Sequence, residues 1–286
     1  MSGAGRITLG QNSYGKEEVR LVKVLKGPER HELRDVRADI ALEGDFDAAH
    51  REGDNTGLLA TDTMRNTVYA LAPEHLTGAL EGFARALAAR FVAAGPSVTR
   101  ARVRLEEYPW ERLTAGGGAH PHGFQRGSGG ARVATVVAGG DGVRYEAGIE
   151  DLLVLKTTGS GWAGFLREEY TSLAETADRI MATIVTASWA YEPGEHDFDR
   201  LYAGVRDTIL ATFDDHFSPS VQRTLYLMGE AVLARHPVVT RISFALPNKH
   251  HLLYDLGRFG MENDNEIFHV TNEPYGLIEG TVERAG

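Results

Sequence analysis

Two long alternating segments open the chain. Arg20 to Lys26 reads RLVKVLK and Glu32 to Leu42 reads ELRDVRADIAL, in which apolar side chains recur at or near every second position. That period belongs to strands with one buried face, so the pair predicts a long β-hairpin. The period then lengthens. Leu76, Leu80, Phe83, Leu87 and Phe91 recur every three to four residues, which is the apolar stripe of a helix. A proline, Pro96, follows, and the alternation resumes in VTRARVRL, residues 98–105.

The same sequence of periods returns almost half a chain later. Leu152 to Lys156 and Ile180 to Tyr191 read as a strand pair, and helical patterning starts at Phe198 to Asp214. Val221, Leu225, Met228 and Val232 then form a second stripe, followed by Pro237 and by VTRISFAL, residues 239–246. The expected architecture is therefore α+β: a strand-strand-helix-helix-strand-strand unit repeated in tandem, 1–142 and 143–286, with antiparallel sheets and helices on one face. Each half would leave sheet edges that need pairing, which favours closure into rings or barrels across subunits. The glycine-rich stretch from Ala115 to Gly130 reads as a long surface loop.

Composition narrows the chemistry. Hydrophobic residues make up 42% and charged residues 24% of the 286, as in ordinary globular proteins. No apolar run approaches the ~20 residues of a membrane-spanning helix, and MSGAGRITLG has no apolar stretch for a signal peptide. The absence of cysteine removes disulfides, thiolate metal sites and a cysteine nucleophile. A net charge of −10 opposes a nucleic-acid partner. It leaves an anionic small substrate open, since one buried arginine reverses the potential locally. The expectation is a soluble, intracellular protein that binds neither nucleic acid nor membrane. Glycine-rich dinucleotide, phosphate-loop and Gly-x-Ser-x-Gly signatures are missing from the required strand-to-helix contexts.

Five strings carry a resemblance to the urate oxidases: YGKEEVRLVKV (14–24), LLATDTMRNTVY (58–69), GFLREEYTSLAETADRI (164–180), PSVQRTLYLM (219–228) and ALPNKH (245–250). They follow the family's order over nearly the whole chain. The resemblance implies the T-fold: two tandem units per protomer, assembling into a barrel with a central tunnel. It implies a homotetramer with active sites shared between subunits, and a reaction without cofactor in which urate, O2 and water give 5-hydroxyisourate and H2O2. The C-terminus, Glu-Arg-Ala-Gly, lacks the family's peroxisomal tripeptide, so the expected location is cytoplasmic.

Residue by residue, the resemblance assigns roles that suit the chemistry. Arg179 resembles the arginine whose planar fork grips the purine edge, a geometry lysine cannot reproduce. Its plainer alternative is a salt bridge with Glu175 at helical spacing. Gln222, helped by the Val221 amide, resembles the reader of the pyrimidine edge. Trp162 stands where the family usually has phenylalanine as stacking partner, with Phe165 as the competing position. Thr61 and Asp62 resemble the pair supplied by the neighbouring subunit, Thr61 relaying a proton and Asp62 offering its backbone amide; read alone, they cap a helix. Lys16, Thr61 and His250 resemble the catalytic relay, His250 contributing an imidazole, the side chain that changes charge near neutrality. Asn248 resembles the residue that holds oxygen or water above the ring. If its segment is a strand, it shares a face with His250, while His251 faces away.

Three other readings stay open. His120 and His122 form a His-x-His pair that His196, His216 or His269 could complete into a metal site. A T-fold enzyme for pterins or other purine derivatives is a second. A binding protein that kept the fold and lost the chemistry is a third, opposed by the complete Lys16, Thr61 and His250 set.

Overall fold

The computed structural model describes residues 7–115 and 118–285, and it divides the chain into two units. One takes the chain up to Arg126 together with Val133–Glu146 and Pro193–Phe198; the other takes Gly127–Arg132, Ala147–Glu192 and Asp199 onward.

In the first unit, β1 (Tyr14–Lys26) pairs antiparallel with β2 (His31–Gly44), as the alternation predicts. The short α1 (Asp47–Glu52) follows, then α2 (Thr61–His75), α3 (Leu80–Val92) and β3 (Val98–Tyr108), which pairs with β2. The predicted apolar stripe crosses the break between α2 and α3. Leu76 is fully buried but lies just past the end of α2, where the Lys23 ammonium collects the carbonyls of Ala72, Pro73 and Leu76 at 3.0, 2.9 and 3.0 Å. A cation on the last carbonyls ends a helix favourably. Phe83, Leu87 and Phe91 on α3 pack with Ala101, Val103 and Leu105 of β3 into the core of this unit, all at most 1% exposed. Each large side chain so buried contributes about 1.5–3 kcal/mol.

The glycine-rich segment is not a loop. It contains a hairpin, β4 (Trp110–Ala115) with β5 (Gly118–Arg126), in which Trp110 pairs with Arg126 and Arg112 with Phe124. Gly116 and Gly117 lie outside the described residues. Alternation did not announce these strands because an arginine holds them from the side: Arg112 Nη1 donates to the His120 and Pro121 carbonyls at 3.1 and 2.9 Å and its ring-facing guanidinium lies 4.8 Å from Phe124. At the base, Trp110 Nε1 donates to Asp35 at 3.0 Å, and Arg20 grips the same carboxylate with two bonds of 2.9 and 2.8 Å. Burial would push that carboxyl's pKa up, but the bonds from Arg20 and Trp110 outweigh it and hold it below its usual value. β6 (Ala131–Gly139) lies beside β3 and turns into β7 (Gly142–Lys156).

In the second unit the sheet order is β7, β8 (Met181–Tyr191), β9 (Val239–Pro247) and β12 (Leu277–Glu283). Two helices, α4 (Phe198–Asp214) and α5 (Val221–Arg235), stand between β8 and β9. α5 packs close to β12: a Cβ on Gly229 would come within 2.5 Å of the Val282 side chain. Between β9 and β12 the chain leaves the sheet as an arm with the short pair β10 (His250–Leu253) and β11 (Phe268–Thr271). Among the described residues no helix is long and apolar enough to cross a membrane.

Candidate functional site

A cavity of about 890 Å³ opens in the second unit, and Trp162, Arg179, Val221, Gln222, Asn248 and His250 all line it. Six of the predicted site residues, drawn from segments nearly ninety positions apart, thus meet at one place.

The floor is built from the irregular chain between β7 and β8. Ser160 forms a parallel bridge with Ser218, through Gly161 N–H to the Ser218 carbonyl at 2.9 Å and Ser218 N–H to the Gly159 carbonyl at 2.8 Å. Trp162 and Thr176 exchange backbone bonds of 2.8 and 2.9 Å, folding the segment back so that Arg179 N–H reaches the Ser160 carbonyl at 2.8 Å. Trp162 and Arg179 therefore sit side by side, the guanidinium carbon 5.8 Å from the indole centre. Phe165 stacks on that indole, its ring 5.5 Å away and inclined by 10°. Trp162 lines the cavity and Phe165 does not, so the indole presents the face and the phenyl supports it.

Arg179 has no helical partner. No helix occupies this segment, and Glu175 instead accepts the Gly164 N–H at 3.1 Å. Asp178 is also engaged, accepting from the Thr158 hydroxyl at 2.8 Å and from Asn265 at 3.2 Å. Burial pulls the arginine's pKa down with no carboxylate to offset it. A guanidinium stays charged even so. The result is a half-buried cation whose one side-chain bond among the described residues is to the Ser160 hydroxyl, at 3.3 Å, an arrangement that favours an anion in the cavity.

The N-terminus of α5 supplies hydrogen-bond donors. Ser220 caps the helix, its hydroxyl accepting Arg223 N–H at 3.2 Å, and Thr224 N–H returns to the Ser220 carbonyl at 3.2 Å. The Val221 and Gln222 N–H groups precede the first helical bond and have no acceptor among the described residues. Oriented amides at a helix start attract negative charge, and the Gln222 amide adds a donor and an acceptor beside them.

Above the floor, the arm brings in Asn248 and His250. They do not share one strand: β9 ends at Pro247 and β10 begins at His250, with Asn248 bridged to Thr183 between them. Asn248 N–H bonds the Gly276 carbonyl and Lys249 N–H the Ala182 carbonyl, both at 2.8 Å. This anchored corner turns both side chains onto the cavity. His251, expected to face away, lines it as well, its Nδ1 sitting 2.9 Å from the Lys249 carbonyl.

Lys16, Thr61 and Asp62 belong to the first unit and do not line this cavity. Lys16 lies in β1 just before a bulge where Glu18 takes φ of 59° and donates its N–H to Asp39 at 2.8 Å. Thr61 and Asp62 begin α2 and are exposed. Neither caps it: the cap position is Ala60, and the Asp62 carboxylate turns along the helix to Arg65 and Asn66. The Tyr14 hydroxyl ties the two segments, accepting Leu59 N–H at 2.8 Å and donating to the Leu59 carbonyl at 3.2 Å. Tyr14 was not singled out in the sequence; a tyrosine two residues before a candidate lysine carries no signal until its partner is seen.

His120 and His122 stand on β5 with rings 4.6 Å apart, but His120 Nδ1 is occupied by the His122 N–H at 3.3 Å. Among the described residues no group of three or more histidines, aspartates or glutamates is arranged to hold a metal ion.

Fold and cavity together describe a class of protein: an α+β chain of two compact units, the second carrying an aromatic face, a guanidinium with no carboxylate partner among the described residues, and unbonded amides at a helix start. A family model described as uricase matches residues 12–137 and 145–279, once in each half. A uricase of Arthrobacter globiformis is 45% identical over 281 residues, spanning 98% of this chain and 91% of the relative. One of Dictyostelium discoideum is 38% identical over 281 residues, spanning 97% and 98%. The crystal structure of the Arthrobacter globiformis uricase superposes with a TM-score of 0.93 at 45% identity, covering 98% of this chain and 96% of that one. The chain belongs to the uricase family.

Proposed function

We propose that this protein oxidises urate with molecular oxygen and water to 5-hydroxyisourate and hydrogen peroxide, using no metal or organic cofactor. The observation that carries the reading is the uncompensated Arg179 guanidinium beside the Trp162 face, on the same cavity as the free amides of α5. A flat anion with donors and acceptors on both edges complements all three.

Trp162 stacks on the purine plane, Arg179 grips one edge with its fork, and the Val221 amide with Gln222 reads the pyrimidine edge. Held in this way, the ring is presented to oxygen in a fixed geometry, and removal of a proton makes it a stronger reductant. Lys16, Thr61 and His250 pass that proton, and Asn248 holds oxygen and then water above the ring. The reading places Thr61 and the Asp62 amide in the cavity of a neighbouring subunit, within a homotetramer whose sheets close into a tunnel-forming barrel. Both groups support such a role by lying exposed at the start of α2, where the first N–H groups have no helical acceptor. The tandem division 1–142 and 143–286 belongs to the same reading.

The decisive assay mixes chelator-treated protein with urate and follows urate absorbance and peroxide, beside a Lys16→Met variant. Urate loss with equimolar peroxide, slowed about 100-fold or more in the variant as expected for a lost proton carrier, supports the assignment. Untouched urate at high protein concentration removes it.

A further inference from the structure

The loop between α4 and α5 holds a line of hydrogen bonds that none of the roles above employs. His216 Nδ1 lies 2.6 Å from the Thr212 carbonyl, and His216 Nε2 lies 2.9 Å from Thr224 Oγ1. Thr224 Oγ1 lies 2.8 Å from Ser218 Oγ, which lies 3.1 Å from the Ser220 carbonyl. Thr224 and Ser218 are completely buried. On the other side of the loop, the buried Lys156 donates to the Phe213 and His216 carbonyls at 3.1 and 2.7 Å.

Counting hydrogens shows which bonds the line commits to. Its four contacts want four hydrogens, and a neutral imidazole, one threonine and one serine supply three. Burial keeps the imidazole neutral, opposed by its bond to the Thr212 carbonyl and then reinforced by the charges of Lys156 and Arg223 against that of Asp215. Thr224 donates to Ser218 and Ser218 to the Ser220 carbonyl, which leaves the single imidazole hydrogen for the Thr212 carbonyl or for Thr224 Oγ1.

The Ser218–Ser220 end of this line reaches both the wall and the floor of the cavity. Ser220 caps α5 and so sets where the Val221 and Gln222 amides point. The Ser218 backbone is bridged to Gly159 and Gly161, and through Ser160 to both the backbone and the guanidinium of Arg179. The approach is tight: a Cβ on Gly161 would lie 3.1 Å from both Phe217 and the Thr176 carbonyl. One buried threonine hydroxyl therefore sits at the joint between the wall that reads one purine edge and the floor that stacks the ring and grips the other.

We propose that Thr224, acting through Ser218 and His216, is a positioning residue that fixes the spacing between the α5 N-terminus and the Trp162–Arg179 floor, and so sets affinity for the purine. The inference rests on the urate reading of the cavity. Thr224→Val keeps the volume and removes the hydroxyl; Thr224→Ser keeps the hydroxyl and removes a methyl. In Thr224→Val, KM for urate rises about tenfold while kcat falls less than about threefold, and Thr224→Ser returns KM to within about twofold of wild type. Amide hydrogen exchange at residues 159–162 and 220–223 accelerates in the valine variant and recovers in the serine variant, a readout that needs no turnover. Unchanged exchange at 159–162, or accelerated exchange with an unchanged KM, overturns the proposal. If wild type leaves urate untouched, the functional reading falls while exchange still decides the coupling. Should Thr224→Val fail to fold, the half-buried His216→Gln is put through the same measurements with the same outcomes.

Discussion

Two helix N-termini carry candidate substrate groups, and they are built in opposite ways. α5 begins with a serine cap, its start is locked from below by the Thr224–Ser218–His216 line, and its free amides face a cavity already lined by Trp162 and Arg179. α2 begins after Ala60 with no side-chain cap, and Thr61 and Asp62 stand exposed, steadied from behind by the Tyr14–Leu59 bonds. An exposed polar threonine on a rigid helix start is costly to nothing within its own unit, so it is free to serve a surface that arrives from elsewhere. On the proposed reading, the second unit carries a half-site prepared in advance, and the first carries the groups that would complete one.

The largest expected effect tests the prepared half. Arg179→Ala should lower kcat/KM for urate by about 100-fold to 1,000-fold, because a planar bidentate contact to an anion is lost. Thermal stability should hold or rise slightly, since a half-buried cation without a carboxylate partner is removed. Retained activity would show that the cavity binds its ligand by another edge.

The other half is tested by mixing. Thr61→Ala should cost about 100-fold in kcat as a lost proton carrier. Oligomers assembled from equal amounts of Thr61→Ala and Arg179→Ala chains should recover about a quarter of wild-type turnover, because one site in four would draw both intact residues from two subunits. Chains bearing both substitutions should recover nothing when mixed with either. Failure of the mixture to gain activity would assign both helix starts to one subunit's site.

A smaller effect separates the two stacked rings. Trp162→Ala should raise KM about tenfold, whereas Phe165→Ala should change it less than about threefold, as the indole meets the ligand and the phenyl only backs it. Equal effects would mean that the floor rearranges when the cavity fills. The smallest effect is on stability. His216 has its pKa depressed in the folded chain, so the unfolded chain takes up the proton first as pH falls below about 6.5. Stability contributed by the neutral imidazole is present above that pH and declines as pH falls toward the lower folded value. Denaturant midpoints between pH 7 and pH 5 should decline less in His216→Gln than in wild type, and no change in slope would show that another group carries the acid response.

Much of this was legible in the residues alone. The alternating β1–β2 hairpin, the amphipathic α4 and α5 and the matched strands β3 and β9 follow from periodicities that burial imposes locally. The β4–β5 hairpin was not, since its pairing is backbone-made and its glycines and histidines mimic a loop. Six candidate site residues fell on one cavity because their strings include the chain that shapes it. Tyr14, Ser218 and Thr224 carried no assigned role, being ordinary polar residues until the fold shows what each one bonds.

The sequence by itself determined the tandem α+β pattern, the family and the residue types available for holding a flat anion. These are properties of period, order and chemistry, which a string of letters carries in full. Only the tertiary structure decided that Arg179 lacks a carboxylate partner among the described residues, that Trp162 and not Phe165 faces the cavity, and that a buried hydroxyl joins wall to floor. Each of those depends on distances between segments far apart in the chain, set by packing and by where buried polar groups find their hydrogen bonds.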